Sequence, residues 1–102
     1  MEYSKLVRDK IPGIIKKANS IPIIHKANKK EFEQKLIEKL TEEIKEFKKS
    51  GNVEELADLL EIIYAICDLK GEDKRKIESI REKKAKERGA FKKQIILERT
   101  KK

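Results

Sequence analysis

The chain has 102 residues, 27 of them Lys or Arg against 19 Asp or Glu, with one Cys and no Trp; that is the size of a single domain, expected to span residues 1–102. Charged side chains make up 45% of it and aromatics 5%, a balance that suits long helices laced with ion pairs and argues against a β-sandwich. No apolar run reaches the roughly 18 residues of a membrane span, the N-terminus lacks the apolar centre of a secretory leader, and one cysteine makes neither a disulfide framework nor a zinc site.

Cys67, set among Ile62, Ile63, Ile66 and Leu69, is expected to be a buried, inert thiol in a cytoplasmic protein. The net charge of +8 is unevenly spread: residues 1–28 carry a balance of +4, residues 29–68 of −4 and residues 69–102 of +8. An acidic middle between basic ends is unlike a simple nucleic-acid-binding stripe. It fits an acidic, cation-binding centre flanked by anion-binding arms.

Asp9 can cap a first helix running to about Asn19, with Pro12 in its first turn. Residues 21–27, IPIIHKA, are β-branched and proline-bounded, and predict a strand or extended segment. Asn28-x-x-Glu31 opens a second helix in capping-box fashion; Phe32, Leu36, Leu40, Ile44 and Phe47 then recur at steps of three and four to about Lys49. After the Ser50-Gly51-Asn52 break, Asn52-x-x-Glu55 opens a third helix to about Lys70. Its Leu56, Leu59, Leu60, Ile62, Ile63, Ile66, Cys67 and Leu69 cover most of the circumference, so burial on several sides, through a second subunit, is expected. A charged fourth helix follows from about Asp73 to Arg88. Phe91–Leu97 predicts a second strand, pairing with residues 21–27. The fold expected is mainly all-α: an antiparallel bundle of about four helices, with a small two-stranded β pair at one end, assembling as an oligomer.

Two acidic pairs, Glu43-x-x-Glu46 and Glu55-x-x-Asp58, fall on the second and third helices. Stepping about 100° per residue, Glu43 lies about 60° from Leu40 within the apolar arc, and Glu46 about 120° away at its border. On the next helix Glu55 lies about 40° from Leu59 and Asp58 about 100°. Each pair at i, i+3 shares a face, and the short turn makes the two helices neighbours. Alone, three of the four have a plainer role: Glu55 completes its capping box, Glu46 pairs with Lys49, and Asp58 pairs with a lysine of another helix. Together, carboxylates on facing apolar surfaces require a cation. Oxygen ligands without His or Cys select Mg²⁺, with Mn²⁺ as the alternative. His25, on the extended segment, lies away from this cluster.

Lys5, Arg8 and Lys10 gather three cations beside a helix start, and Lys84 and Arg88 sit one turn apart before Gly89; these are the candidate phosphate contacts. There is no GxxxxGK[ST] or GxGxxG loop, and no Ser-His-Asp or Cys-His set for covalent catalysis. Water activated beside a metal ion is the hydrolytic chemistry that remains.

Glu-Glu-Ile-Lys-Glu (42–46) and Glu-Glu-Leu-Ala-Asp (54–58), with the opening Tyr3-Ser4-Lys5-Leu6-Val7-Arg8-Asp9-Lys10-Ile11-Pro12 and the closing Arg88-Gly89-Ala90-Phe91, resemble the MazG-like, phosphoribosyl-ATP pyrophosphohydrolase-like all-α nucleoside triphosphate pyrophosphohydrolases. The resemblance implies a helical homodimer or homotetramer that uses Mg²⁺ to cleave the α–β phosphate bond of a nucleotide. It places the ligands at Glu43, Glu46, Glu55 and Asp58. The eight residues between the acidic pairs are fewer than in the wider superfamily. Two other classes remain open at this point, a basic helical nucleic-acid-binding protein and a non-catalytic oligomeric interaction module. The scatter of five aromatics among core positions argues against the first.

Overall fold

The computed structural model describes residues 4–102. Its regular structure is helical throughout: α1 (Ile11–Lys17), α2 (Lys29–Ser50), α3 (Val53–Leu69) and α4 (Lys74–Arg88). The chain divides into two compact units, one ending at Gly71 and the other running Glu72–Lys102.

In the first unit, α2 and α3 form the frame. Asn28 caps α2 by accepting from the Glu31 amide at 2.9 Å. The helix ends at Gly51, which takes a left-handed φ of 66° and donates to the Phe47 carbonyl at 2.7 Å. Glycine is the residue that adopts this conformation without penalty. Asn52 immediately caps α3, accepting from the Glu54 amide at 3.1 Å. With only Gly51 and Asn52 between them, the helices fold back on each other. Lys70, just past the end of α3, reaches Glu33 near the start of α2 at 3.4 Å, which fixes the antiparallel sense.

Packing between the two helices centres on Leu36, 2% exposed, with Ile62 and Cys67 also buried. A leucine removed from water this completely stabilises the hairpin by about 1.5–3 kcal/mol. Cys67 is a free thiol, so its expected burial is met. The other side of α3 is not covered: Val53, Leu56, Leu60 and Ile63, at steps of three and four, remain 74, 46, 47 and 40% exposed.

Helix α1 departs from the expected cap. Lys10, not Asp9, occupies the N-cap position and makes no side-chain bond to the helix. The amide an Asp9 cap would bind, that of Ile11, donates instead to the Arg8 carbonyl at 3.0 Å, and Pro12 has no amide to offer. The helix closes two residues before Asn19. That residue turns left-handed at φ 63° and donates to Lys16, while Ser20 donates to Ile15, the Schellman arrangement.

In the second unit Asp73 caps α4, accepting from the Arg75 amide at 2.8 Å. The helix buries no residue.

The expected β pair is not formed: among the described residues there is no strand. Residues 21–27 and 91–97 carry no regular structure. Ile21 and Ile23 are 89 and 97% exposed, and Phe91 is 97% exposed. Pro22 removes one ladder donor, and a two-stranded pair without a packed face is marginal in water.

Candidate metal centre

Glu43 lies on α2 and Glu55 and Asp58 on α3, one turn apart. The hairpin brings one carboxylate oxygen from each to within 4.8 Å of the other two. This convergence follows from the turn: α2 and α3 run back along each other from Gly51, so the two acidic faces meet a few turns from it. Glu43 and Asp58 retain 13 and 40% side-chain exposure, and Glu55 is half-buried. The fourth expected ligand, Glu46, is exposed and lies outside this group of three. It is close enough for its charge to act on Glu55. It makes no ion pair with Lys49 or any other described residue.

The plainer role for Glu55 is not taken. Its carboxylate does not complete a capping box, because the Asn52 amide that it would bind donates to the Ser50 hydroxyl at 3.1 Å. Instead Glu55 meets Glu43. A hydrogen bond between two carboxyl groups needs a proton on one of them, and that contact is the main reason the Glu55 carboxyl is pushed above its ordinary value. Partial burial and the negative charges of Glu43, Asp58 and Glu46 act in the same direction. The cluster is thus short of positive charge.

Cations from the chain itself reach it. The Arg8 guanidinium donates from Nη2 to Asp58 Oδ1 at 2.7 Å; an exposed pair of this type contributes about 0.2–1 kcal/mol. Asp58 therefore pairs with an arginine from the N-terminal segment rather than with a lysine of another helix. Lys39, one turn before Glu43 on α2, stands off at 3.9 Å. Lys5, Val7, Arg8, Ile11, Lys39, Glu43, Asp58 and Ile62 line an open cleft of about 300 Å³. Sequence reasoning passed over Lys39, although its i, i+4 spacing to Glu43 was the signal for it.

Of the expected phosphate contacts, Lys5 and Arg8 are brought to this cleft. Lys10 is exposed at the start of α1 and is not part of the lining. Lys84 and Arg88 are exposed on α4, in the second unit. His25 is bound elsewhere, its Nε2 lying 2.9 Å from Glu31 Oε1.

The donor set is three carboxylates with no nitrogen or sulfur ligand, which fits a hard divalent cation such as Mg²⁺ or Mn²⁺. The cleft beside them is lined by Lys5, Arg8 and Lys39 together with Glu43 and Asp58. No known protein family, curated protein or solved structure matches the chain. Among the described residues, no helix is long and apolar enough to cross a membrane.

Proposed function

We propose that the chain is a Mg²⁺-dependent nucleotide pyrophosphohydrolase of the MazG-like type, splitting a nucleoside triphosphate or related nucleotide between its α and β phosphates. The observation that carries this reading is the convergence of Glu43, Glu55 and Asp58 within 4.8 Å, two of which, Glu43 and Asp58, line a cleft with Lys5, Arg8 and Lys39. Glu43, Glu55 and Asp58 hold the ion, with Glu46 at the margin. When bound, such an ion neutralises phosphate oxygens and acidifies water. Lys5, Arg8 and Lys39 counter the charge that gathers on the departing pyrophosphate.

The uncovered stripe of Val53, Leu56, Leu60 and Ile63 on α3 supports assembly as a homodimer or homotetramer, since a second copy would shield it. The single buried thiol suits a cytoplasmic protein. The test is release of pyrophosphate from a panel of nucleoside triphosphates in Mg²⁺, with Glu43→Gln as the control. Product from at least one nucleotide, lost in the variant, is expected; no product from any nucleotide refutes the reading.

One observation favours a second reading. Helix α4 carries eight basic residues against three acidic and buries none of its side chains, as a nucleic-acid-binding helix would. That reading requires salt-sensitive retention of duplex or single-stranded nucleic acid in a gel-shift assay, which the pyrophosphohydrolase reading does not.

A further inference from the structure

Ser4 to Lys10 has no helix or strand of its own, yet both ends are fastened to the helices that carry the carboxylates. Lys35 of α2 donates from Nζ to the Ser4 carbonyl oxygen at 2.8 Å. Arg8 donates to Asp58 of α3 at 2.7 Å. Lys5, Val7 and Arg8, along this strap, line the cleft. Asp58 has a cation at hydrogen-bonding distance, Arg8, and that cation comes from the strap rather than from the hairpin.

A divalent ion shared by Glu43, Glu55 and Asp58 would draw on the same carboxylate that Arg8 uses. Two positive groups held on one carboxylate repel each other. The arginine pair, with the two side chains 59 and 40% exposed, is the weaker claim. A guanidinium displaced from a carboxylate keeps a planar fork of donors that matches a phosphate equally well.

We propose that Arg8 is a displaceable counter-ion: it fastens the Ser4–Lys10 strap to Asp58, is released when a divalent cation takes the carboxylates, and then meets the phosphate of the incoming ligand. The inference rests on the metal-centre reading above and adds an order of events to it. Ion binding comes first and phosphate binding second, because the same guanidinium serves both states. The strap then senses whether the ion is in place.

Two measurements on the full chain test this without recourse to activity. The first is calorimetric titration with Mg²⁺ at about 0.15 M salt, where long-range charge effects are screened. Arg8→Gln is expected to bind the ion about two- to fivefold more tightly than the native chain, since one competitor is gone. Lys16→Gln, which removes an exposed charge on α1 away from the cleft, is expected to leave the affinity unchanged. The second follows the Nε–Hε signals of the five arginines by NMR, with Arg8 assigned from its variant. The Arg8 signal is expected to move toward the free-arginine position as Mg²⁺ saturates, and to move again when inorganic pyrophosphate is added. Equal affinities in the native chain and Arg8→Gln, or an Arg8 signal that stays in place through saturation, overturn the displacement. A signal unmoved by pyrophosphate overturns the second step. If neither chain binds Mg²⁺ or Mn²⁺, the metal-centre reading itself falls, and this inference with it.

Discussion

Replacing Glu43 by Gln separates a metal ligand from an ordinary ion-pair partner, because the two roles predict opposite signs. In the metal-free protein Glu43 feels Lys39 at 3.9 Å, an attraction of about 1 kcal/mol in a water-like dielectric. It also feels Asp58 at up to 4.8 Å, a repulsion of about 0.9 kcal/mol on the same footing. These nearly cancel. The sign is then set by the contact with Glu55, which is unfavourable whenever both are ionised. Glu43→Gln is therefore expected to leave the melting temperature of the metal-free protein unchanged or raised. In the native chain, Mg²⁺ at a hundred times its dissociation constant would add about 2.7 kcal/mol, or roughly 10–20 °C for a domain of this size; in Glu43→Gln that gain should vanish. Thermal denaturation with and without Mg²⁺, after treatment with a chelator, measures both quantities. A variant that melts lower without metal and keeps its response to Mg²⁺ would refute the reasoning and return Glu43 to the status of a surface ion-pair residue.

Leu36→Ala removes the most buried side chain of the hairpin and is expected to cost about 2–5 kcal/mol, read as a lower urea midpoint. Glu55 binds its proton more tightly in the fold than its ordinary value of 4.5 allows. Its contribution to stability is thus fully present below about pH 4.5 and is lost as pH rises through the raised value. Denaturant midpoints of the metal-free protein should fall over that window, and Glu55→Gln should flatten the fall. Asp73 has the opposite sign: hydrogen bonds from the Arg75 side chain and amide hold it below its ordinary 3.8, so its contribution is present above that pH and lost as pH falls through the lowered value. Far-ultraviolet circular dichroism should show helix loss on acidification. Asp73→Asn, which keeps a capping oxygen but not the charge, should blunt that acid dependence.

What could be read in the sequence was local. The caps at Asn28, Asn52 and Asp73 and the glycine stop at Gly51 are single-residue signals with a direct backbone cause. Helical angle alone separated Glu43 and Glu55 from Glu42, which is exposed. The two border residues could not be told apart in that way: Asp58 joins the cluster and Glu46 does not, since at such angles a neighbouring element decides. For Asp58 that neighbour is Arg8, fifty residues away in the chain, and no periodicity encodes such a pairing. The absent β pair failed for a related reason. Apolar, β-branched residues say that a segment can be extended, but a strand exists only by the bonds a second one supplies.

The turn at Gly51-Asn52 has a consequence for how the protein is made. The buried contacts of the first unit lie between helices adjacent in sequence, and chains dominated by such short-range contacts fold fast. Glu43 and Asp58 are brought together by closing a loop of only fifteen residues, where the entropy of closure is modest. The hairpin, with its three carboxylates already gathered, can therefore form as soon as α3 has been synthesised. The strap that bears Arg8 precedes both helices in the chain, so its partner Asp58 comes into existence only when the hairpin is complete.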